Sequence, residues 1–176
     1  MNPPEDIRRI QTDMLIIGSG VAGMLAVVGA MRSGVRPMIA TKSTYASGSS
    51  SMARGGHSLA LGHSDPADNP DLFFEDIQAG GEGLCNERLI DIVSTESIDR
   101  SAELDEWGLG LVKTEDGRFD QVPGGFPHRY PRMVHCNRLM GKPLMAALSG
   151  KTKSWDIEPM IHIMFVDLLK DGDRVV

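Results

Sequence analysis

Cysteine is scarce in this chain: two occur among 176 residues, Cys85 and Cys136. They stand far apart and belong to no CxxC pair and no metal-ligand spacing. That excludes a disulfide-stapled scaffold and a cysteine-bound zinc site, and it points to a reducing compartment. No metal is expected. Long basic runs are missing too, and the formal net charge is −6. An acidic chain without a basic stripe is not built to follow a phosphate backbone, which argues against nucleic acid as a partner. The short basic stretch Lys151-Thr152-Lys153 reads as a solvated loop. No apolar run is long enough to span a bilayer, so direct membrane insertion is not expected. The opening MNPPEDIRRIQTD lacks the apolar core of a signal peptide. The expected location is cytoplasmic, either free or peripheral to a membrane complex. The remaining composition, 41% hydrophobic and 24% charged, is that of an ordinary globular domain with one core.

What is there begins with Thr12-Asp13-Met14-Leu15-Ile16-Ile17, an apolar strand that runs straight into Gly18-Ser19-Gly20-Val21-Ala22-Gly23. A helical pattern follows at once. This is a dinucleotide-binding fingerprint in its proper context, strand before and helix after. Gly18 permits the tight turn, Gly20 lets the backbone approach a pyrophosphate, and Gly23 lets helix and strand pack closely. The phosphates belong at the helix N-terminus, where free N–H groups and the dipole favour negative charge.

Residues 13–17 read as a strand, 21–33 as a helix with Gly34 just past its end, and 36–41 as a second parallel strand. A Ser/Gly-rich loop over 43–58 follows; its place after the second strand points it at a bound cofactor, and its composition alone gives a flexible linker as the alternative. Residues 65–80 read as an N-capped helix. Residues 86–107 read as an amphipathic helix burying Leu89, Ile92, Val93 and Ile98 and anchored by Leu104 and Trp107. The turn-rich stretch 108–125 holds a small β excursion around Leu111-Val112. A further helix covers 138–148, and 156–176 alternates like a hairpin with its turn at Asp171-Gly172. A doubly wound sheet needs more strands than these, so the chain is expected to be a piece of a larger or split protein. Met14, Met24, Met31 and Met38 read as core filling.

An NAD site puts an acid at the end of the second strand, about 20 residues past the glycines. Thr41-Lys42-Ser43 stands there, without an acid. Simple NAD binding is disfavoured, while FAD and NADP both stay open, the latter with Lys42 on the 2′-phosphate.

At this point the chain resembles the N-terminal part of the flavoprotein family of succinate dehydrogenase, fumarate reductase and L-aspartate oxidase. The likeness rests on four segments in order: the glycine fingerprint; Thr41-Lys42-Ser43; Gly48-Ser49-Ser50-Ser51-Met52-Ala53-Arg54-Gly55-Gly56; and Gly124-Gly125 through His128-Arg129, Arg132, His135 and Gly141. Trp107-Gly108-Leu109 and Glu115-Asp116-Gly117 also fall in family positions. The resemblance implies an α/β, Rossmann-like FAD-binding domain with a parallel sheet, helices and a small β-hairpin region, incomplete at its C-terminal end. Residues 1–12 would be a tail and 13–176 a partial FAD-binding domain. The capping domain that carries the substrate site and catalytic residues would lie outside this chain.

Carried over, Gly18, Ser19, Gly20, Val21, Ala22 and Gly23 hold the pyrophosphate, and Thr41, Lys42 and Ser43 lie near the adenosine ribose. Ser47, Gly48, Ser49, Ser50, Ala53, Arg54, Gly55 and Gly56 surround the flavin. Respiratory members attach FAD through a histidine whose position here is Ser49, which implies non-covalent FAD. His57 follows the glycine pair where the family has an apolar residue; it reads as a surface or backbone-bonded histidine, with substrate contact or tuning of the flavin as the alternative. Arg54 stands where glutamine is common, as either a flavin-tuning cation or a partner of a carboxylate. Arg138 and Met140 replace a usual Asp and Thr. Arg129 and Arg132 are expected to hold loops or pair with acids. The implied activity is FAD-dependent hydride transfer to or from a small dicarboxylate or amino acid. An iron–sulfur electron-transfer subunit, or a second chain completing the flavoprotein, is the implied partner. The competing readings are an NADP-binding reductase and a non-catalytic FAD-binding or assembly subunit.

Overall fold

The computed structural model describes residues 8–124, 128–137 and 139–175. Gly125, Arg138, Val176 and residues 1–7 of the tail therefore lie outside the described residues.

Strand β1 (Leu15–Ile17), helix α1 (Val21–Arg32) and strand β2 (Met38–Ala40) form the βαβ unit read from the sequence. The strands pair in parallel, with Leu15 opposite Met38, Ile16 opposite Ile39 and Ile17 opposite Ala40. Helix α1 buries Met24, Val27, Val28 and Ala30. Val27 meets Ile16, Ile39 and Ile157 in one apolar cluster. Gly34 takes φ +77 and ends the helix, while Val35 donates its N–H back to the Ala30 carbonyl at 2.9 Å.

The tail segment corrects one expectation. Residues 157–163 do not form a hairpin arm. They run beside β2 in parallel, with Thr41 N–H on the Met160 carbonyl and Met160 N–H on the Ile39 carbonyl, both at 2.8 Å. The alternation is real, but its partner is the outer edge of β2. Only the tip is a hairpin, β5 (Lys170–Asp171) against β6 (Arg174–Val175), with Gly172 at φ +58 in its turn.

A second, antiparallel pair joins β3 (Gly56–Ser58) to β4 (Met133–His135), and Val122 bridges to Met133 on the far side of β4. The expected excursion is present, with Val112 N–H on the His135 carbonyl at 2.9 Å and Lys113 bridging Phe119. Leu59, Leu109, Leu111, Val134 and Met140 pack beneath it as a second core.

Further helices cover these sheets. Helix α2 (Pro70–Gly80) starts later than expected, because Asn69 caps it by accepting Leu72 N–H at 3.0 Å while Asp65 organises a separate turn. Helix α3 (Glu87–Glu106) turns the other way from the expected face. Leu89, Ile92 and Val93 are exposed, and the buried stripe is Ile90, Ser94 and Ser101, continuing to Leu104 and Trp107. Small hydroxyl residues allow close approach there, which a hydrophobicity pattern does not register. Helix α4 (Gly141–Lys153) runs past residue 148, so Lys151-Thr152-Lys153 is no loop. Thr152 is fully buried against the Tyr45 hydroxyl at 2.7 Å, and Lys151 lies over the rings of Trp107 and Trp155. Among the described residues no helix is long and apolar enough to cross a membrane.

A buried ion cluster ties α2 to the segment before β4. Arg132 is fully buried, donates to Asp68 Oδ1 and Asp76 Oδ2 at 2.7 Å each, and lies 4.9 Å over the Phe73 ring. Arg129 reaches Asp76 at 2.7 Å and Glu75 at 2.9 Å. Both arginines thus pair with acids. Burial alone would push the Asp76 carboxyl up, but the hydrogen bonds and charges of Arg129 and Arg132 outweigh it and hold the group below the usual carboxylate range. The native state therefore binds fewer protons than the unfolded chain there, and stability must fall as pH drops through that range. Urea unfolding of Arg132→Met, which leaves two buried carboxylates without their partner, should show a loss of about 3–5 kcal/mol. In Asp76→Asn the acid-side slope of stability against pH should be shallower than in the wild type; an unchanged slope would remove Asp76 from the account.

Candidate cofactor site

The turn between β1 and α1 is built on a contact that leaves no room for a side chain. A Cβ on Gly23 would lie 1.9 Å from the Gly18 carbonyl oxygen. Gly18 itself takes φ +100 and donates its N–H to the Ala40 carbonyl at 2.7 Å, which pins the turn to the end of β2. Gly20 then sits extended at the N-cap of α1 with no capping side chain of its own. The hydroxyl of Ser50 supplies what is missing by accepting Val21 N–H at 3.3 Å. Fingerprint and Ser/Gly segment, 29 residues apart, thus meet at the start of the helix.

The Ser/Gly segment is not a flexible linker. Gly48 at φ +105 leads into a 3-10 turn at Ser49–Met52, and Ala53 accepts Gly141 N–H at 2.9 Å. A Cβ on Gly141 would meet the Ser50 carbonyl oxygen at 2.5 Å, so α4 begins directly on this turn.

Between these parts opens a cavity of about 540 Å³. Eight of the residues expected from sequence line it: Gly18, Ser19, Gly20, Thr41, Lys42, Ser47, Ser49 and Ser50. Sequence reading missed Ile17, Ala40, Ile163, Met164 and Phe165 on its wall. The last three arrive with the segment beside β2, whose position no local pattern revealed. Buried Ser19 donates to the buried Thr41 hydroxyl at 3.2 Å and closes the cavity floor. Lys42 and Ser43 are exposed at the end of β2.

The remaining expected residues divide. Val21 offers its N–H to Ser50, Gly23 acts through packing, and Ala22 is exposed on α1 outside the cavity wall. Ala53 and Arg54 line a second cavity of about 280 Å³ with Leu139 and Lys142. Arg54 is exposed and forms no ion pair among the described residues, so the expected carboxylate partner is absent there. Gly55, at φ +80, lines a third cavity of about 380 Å³ with Val122, Met133 and His135. A Cβ on Gly56 would strike the Val134 carbonyl oxygen at 1.9 Å. His135 Nε2 lies 3.3 Å from Asp120 Oδ2. Among the described residues no cluster of His, Cys, Asp or Glu could hold a metal.

The donor set fits a dinucleotide. A helix start with no capping side chain of its own, several hydroxyls, one lysine and an apolar wall match a pyrophosphate, a ribose and flat rings. The glycine contacts give a direct check. Gly23→Ala and Gly56→Ala should each lower stability by about 1–3 kcal/mol, because backbone must move. Gly29→Ala, in the same helix with open space around it, should instead gain up to about 1 kcal/mol. Thermal unfolding of the three variants reads this out, and an ordinary response from Gly23→Ala or Gly56→Ala would contradict the packing.

Comparison with known proteins agrees with this geometry. A family described as "FAD binding domain" matches residues 13–176. The chain is 34% identical over 167 residues to one polypeptide of the fumarate reductase (CoM/CoB) of Methanothermobacter marburgensis, covering 94% of this chain and 30% of that protein. It is 28% identical to L-aspartate oxidase of Streptomyces coelicolor, covering 93% of this chain and 28% of that protein. It therefore spans less than a third of these relatives. Among solved structures, Mycobacterium smegmatis Sdh1 in complex with UQ1 superposes with a TM-score of 0.86 at 28% identity, over 93% of this chain and 29% of that one. E. coli quinol fumarate reductase FrdA shares the fold, with a TM-score of 0.86 at 21% identity over 94% of this chain and 28% of that one. The chain belongs to the FAD binding domain family, and FAD is its cofactor.

Proposed function

We propose that this chain supplies the FAD-binding part of an oxidoreductase of the fumarate reductase and succinate dehydrogenase type. The observation that carries the reading is the Ser50 hydroxyl at the N-terminus of α1, where the glycine turn and the Ser/Gly segment form one cavity. The free N–H groups at the start of α1 and the Ser50 hydroxyl hold the pyrophosphate. Lys42 takes the adenosine ribose or a phosphate oxygen, and Thr41 and Ser19 set the cavity floor. The Gly55–Gly56 backbone presents a flat surface to the isoalloxazine. FAD, when bound, supplies hydride transfer at N5 to or from a C–C or C–N bond beside carboxylates. The substrate is a small dicarboxylate or an amino acid, as the names of the relatives support. Its carboxylate partners and the acid–base groups belong to polypeptide outside these residues. An iron–sulfur subunit is the fitting electron partner if the reaction is of the fumarate–succinate kind.

A second reading, an FAD-binding or assembly subunit completed by another chain, is favoured by the edge of the sheet. Among the described residues nothing pairs with the outer edge of β1, and on the sheet face opposite Ile16 the side chains of Leu15 and Ile17 are about half exposed, at 49% and 48%.

Ser49 offers a hydroxyl where respiratory members carry a linking histidine, so FAD is held without a covalent bond. The visible spectrum of the purified chain, taken before and after denaturation and filtration, tests both points. A flavin band should pass into the filtrate, and NADPH should not displace it. A band retained on the protein would overturn the non-covalent assignment, and binding of NADPH in place of FAD would overturn the cofactor reading.

A further inference from the structure

We infer that His57 is a positioning residue that locks the Gly55–Gly56 pair onto helix α3 through Ser101. The inference rests on the FAD reading above.

Alternation along β3 sets the direction of the ring. Gly56 and Ser58 share one face of the β3–β4 pair with their partners His135 and Met133, and His57 points to the other face beside Val134. The His57 ring therefore turns away from the cavity that Gly55 lines with Met133 and His135, and toward α3. There its Nε2 lies 2.7 Å from Ser101 Oγ. Ser101 is 3% exposed and directs its own hydroxyl proton to the Ser97 carbonyl at 2.7 Å. Its oxygen can only accept from the ring. The Nε2 position of His57 must carry the proton, and this fixes the tautomer. Burial also pushes the imidazole down, which keeps it neutral.

The glycine pair is thus held from two directions. On one side the Val134 carbonyl fills the place of a Gly56 Cβ. On the other, the next residue is bonded to a long helix that is itself anchored at both ends. Asn86 caps the start of α3 at Leu89 N–H, and near its end Glu103 pairs with Arg32 while Asp105 holds Leu111 N–H at 2.8 Å. Without the His57 bond, β3 keeps its pairing with β4 and the contact of the Ser58 hydroxyl with His128 Nε2 at 3.4 Å, and loses its tie to α3. Ser97 supplies an internal control. Among the described residues its Oγ is buried without a hydrogen-bond partner, one turn from Ser101 on the same helix.

The test uses the full chain and four variants: His57→Leu, His57→Gln, Ser101→Ala and Ser97→Ala. Gln keeps an N–H donor at the reach of the ring. FAD affinity, read from quenching of flavin fluorescence, should weaken about tenfold in His57→Leu and Ser101→Ala, the effect of one buried hydrogen bond. It should stay within about threefold in His57→Gln, and Ser97→Ala should match the wild type. Amide hydrogen exchange at residues 55–58 without FAD gives a readout independent of the cofactor. Exchange should accelerate in His57→Leu and Ser101→Ala only. Long-range proton–nitrogen correlation of the wild-type imidazole should place the proton on Nε2. A proton on Nδ1, unchanged exchange in both bond-breaking variants, or failure of Gln to rescue would overturn the inference. A wild type that takes up no FAD would overturn the function reading alone, since exchange and tautomer still decide the lock. If His57→Leu does not fold, Ser101→Ala and the tautomer decide it.

Discussion

Three backbone contacts that admit no Cβ hold this structure together. Gly23 packs on the Gly18 carbonyl, Gly56 on the Val134 carbonyl, and Gly141 on the turn at Ser50 to Ala53. Each joins segments distant in function: the helix to its own turn, β3 to β4, and α4 to the Ser/Gly segment. Two of them involve residues of the cofactor cavity wall, Gly18 and Ser50. Backbone packed on backbone also leaves little freedom to relax, because carbonyl groups cannot change rotamer as side chains do. That is why the Ser/Gly segment, which by composition would be a flexible linker, is instead a fixed 3-10 turn with its Ser50 hydroxyl on α1.

Charge is distributed in a way that follows from this. The strongest ion cluster, Arg132 with Asp68 and Asp76, lies away from the cofactor cavity and closes α2 over the segment before β4. Among the described residues the only ionic side chain on the cavity wall is Lys42, on a chain of net charge −6. In the proposed site the attraction of an anionic cofactor rests on this single lysine, the helix start and hydroxyl groups, the last two acting at short range and in one orientation. Such a site selects by geometry more than by bulk charge.

The parts legible in the sequence are those whose signals are local. The strand, glycine turn and helix of the βαβ unit are set by spacing within about twenty residues, and the structure follows them closely. The pairing of Arg129 and Arg132 with acids is among the roles the sequence suggests, but the sequence does not name Asp68, Glu75 and Asp76 as the partners. What fails depends on distant contacts. The α3 face is misread because Ser94 and Ser101, which look solvated, are buried, while Leu89, Ile92 and Val93 are not. The Lys151 to Lys153 turn of α4 is misread because its anchors, Tyr45, Trp107 and Trp155, come from elsewhere in the chain or beyond the helix. The segment beside β2 reads as strand-like, but alternation does not name its partner. With it goes the apolar cavity wall, Ile163, Met164 and Phe165.

That wall also connects binding to folding. Ile17, Ile163 and Phe165 are 48%, 42% and 46% exposed, and all three line the cavity. Apolar side chains held half in water at the open end of a sheet contribute only part of the burial available to them. In the proposed function a flat, largely apolar ring system lying against them would remove that surface from water, and its pyrophosphate would satisfy the N–H groups at the start of α1 that Ser50 does not cap. On the proposed function the cofactor would cover apolar surface that these residues leave half exposed. Because it binds the folded chain and not the unfolded one, its affinity adds directly to stability, by about 2.7 kcal/mol at one hundred times the dissociation constant. In a domain whose parallel sheet is built from short strands, such an increment makes a bound cofactor a structural element as much as a chemical one.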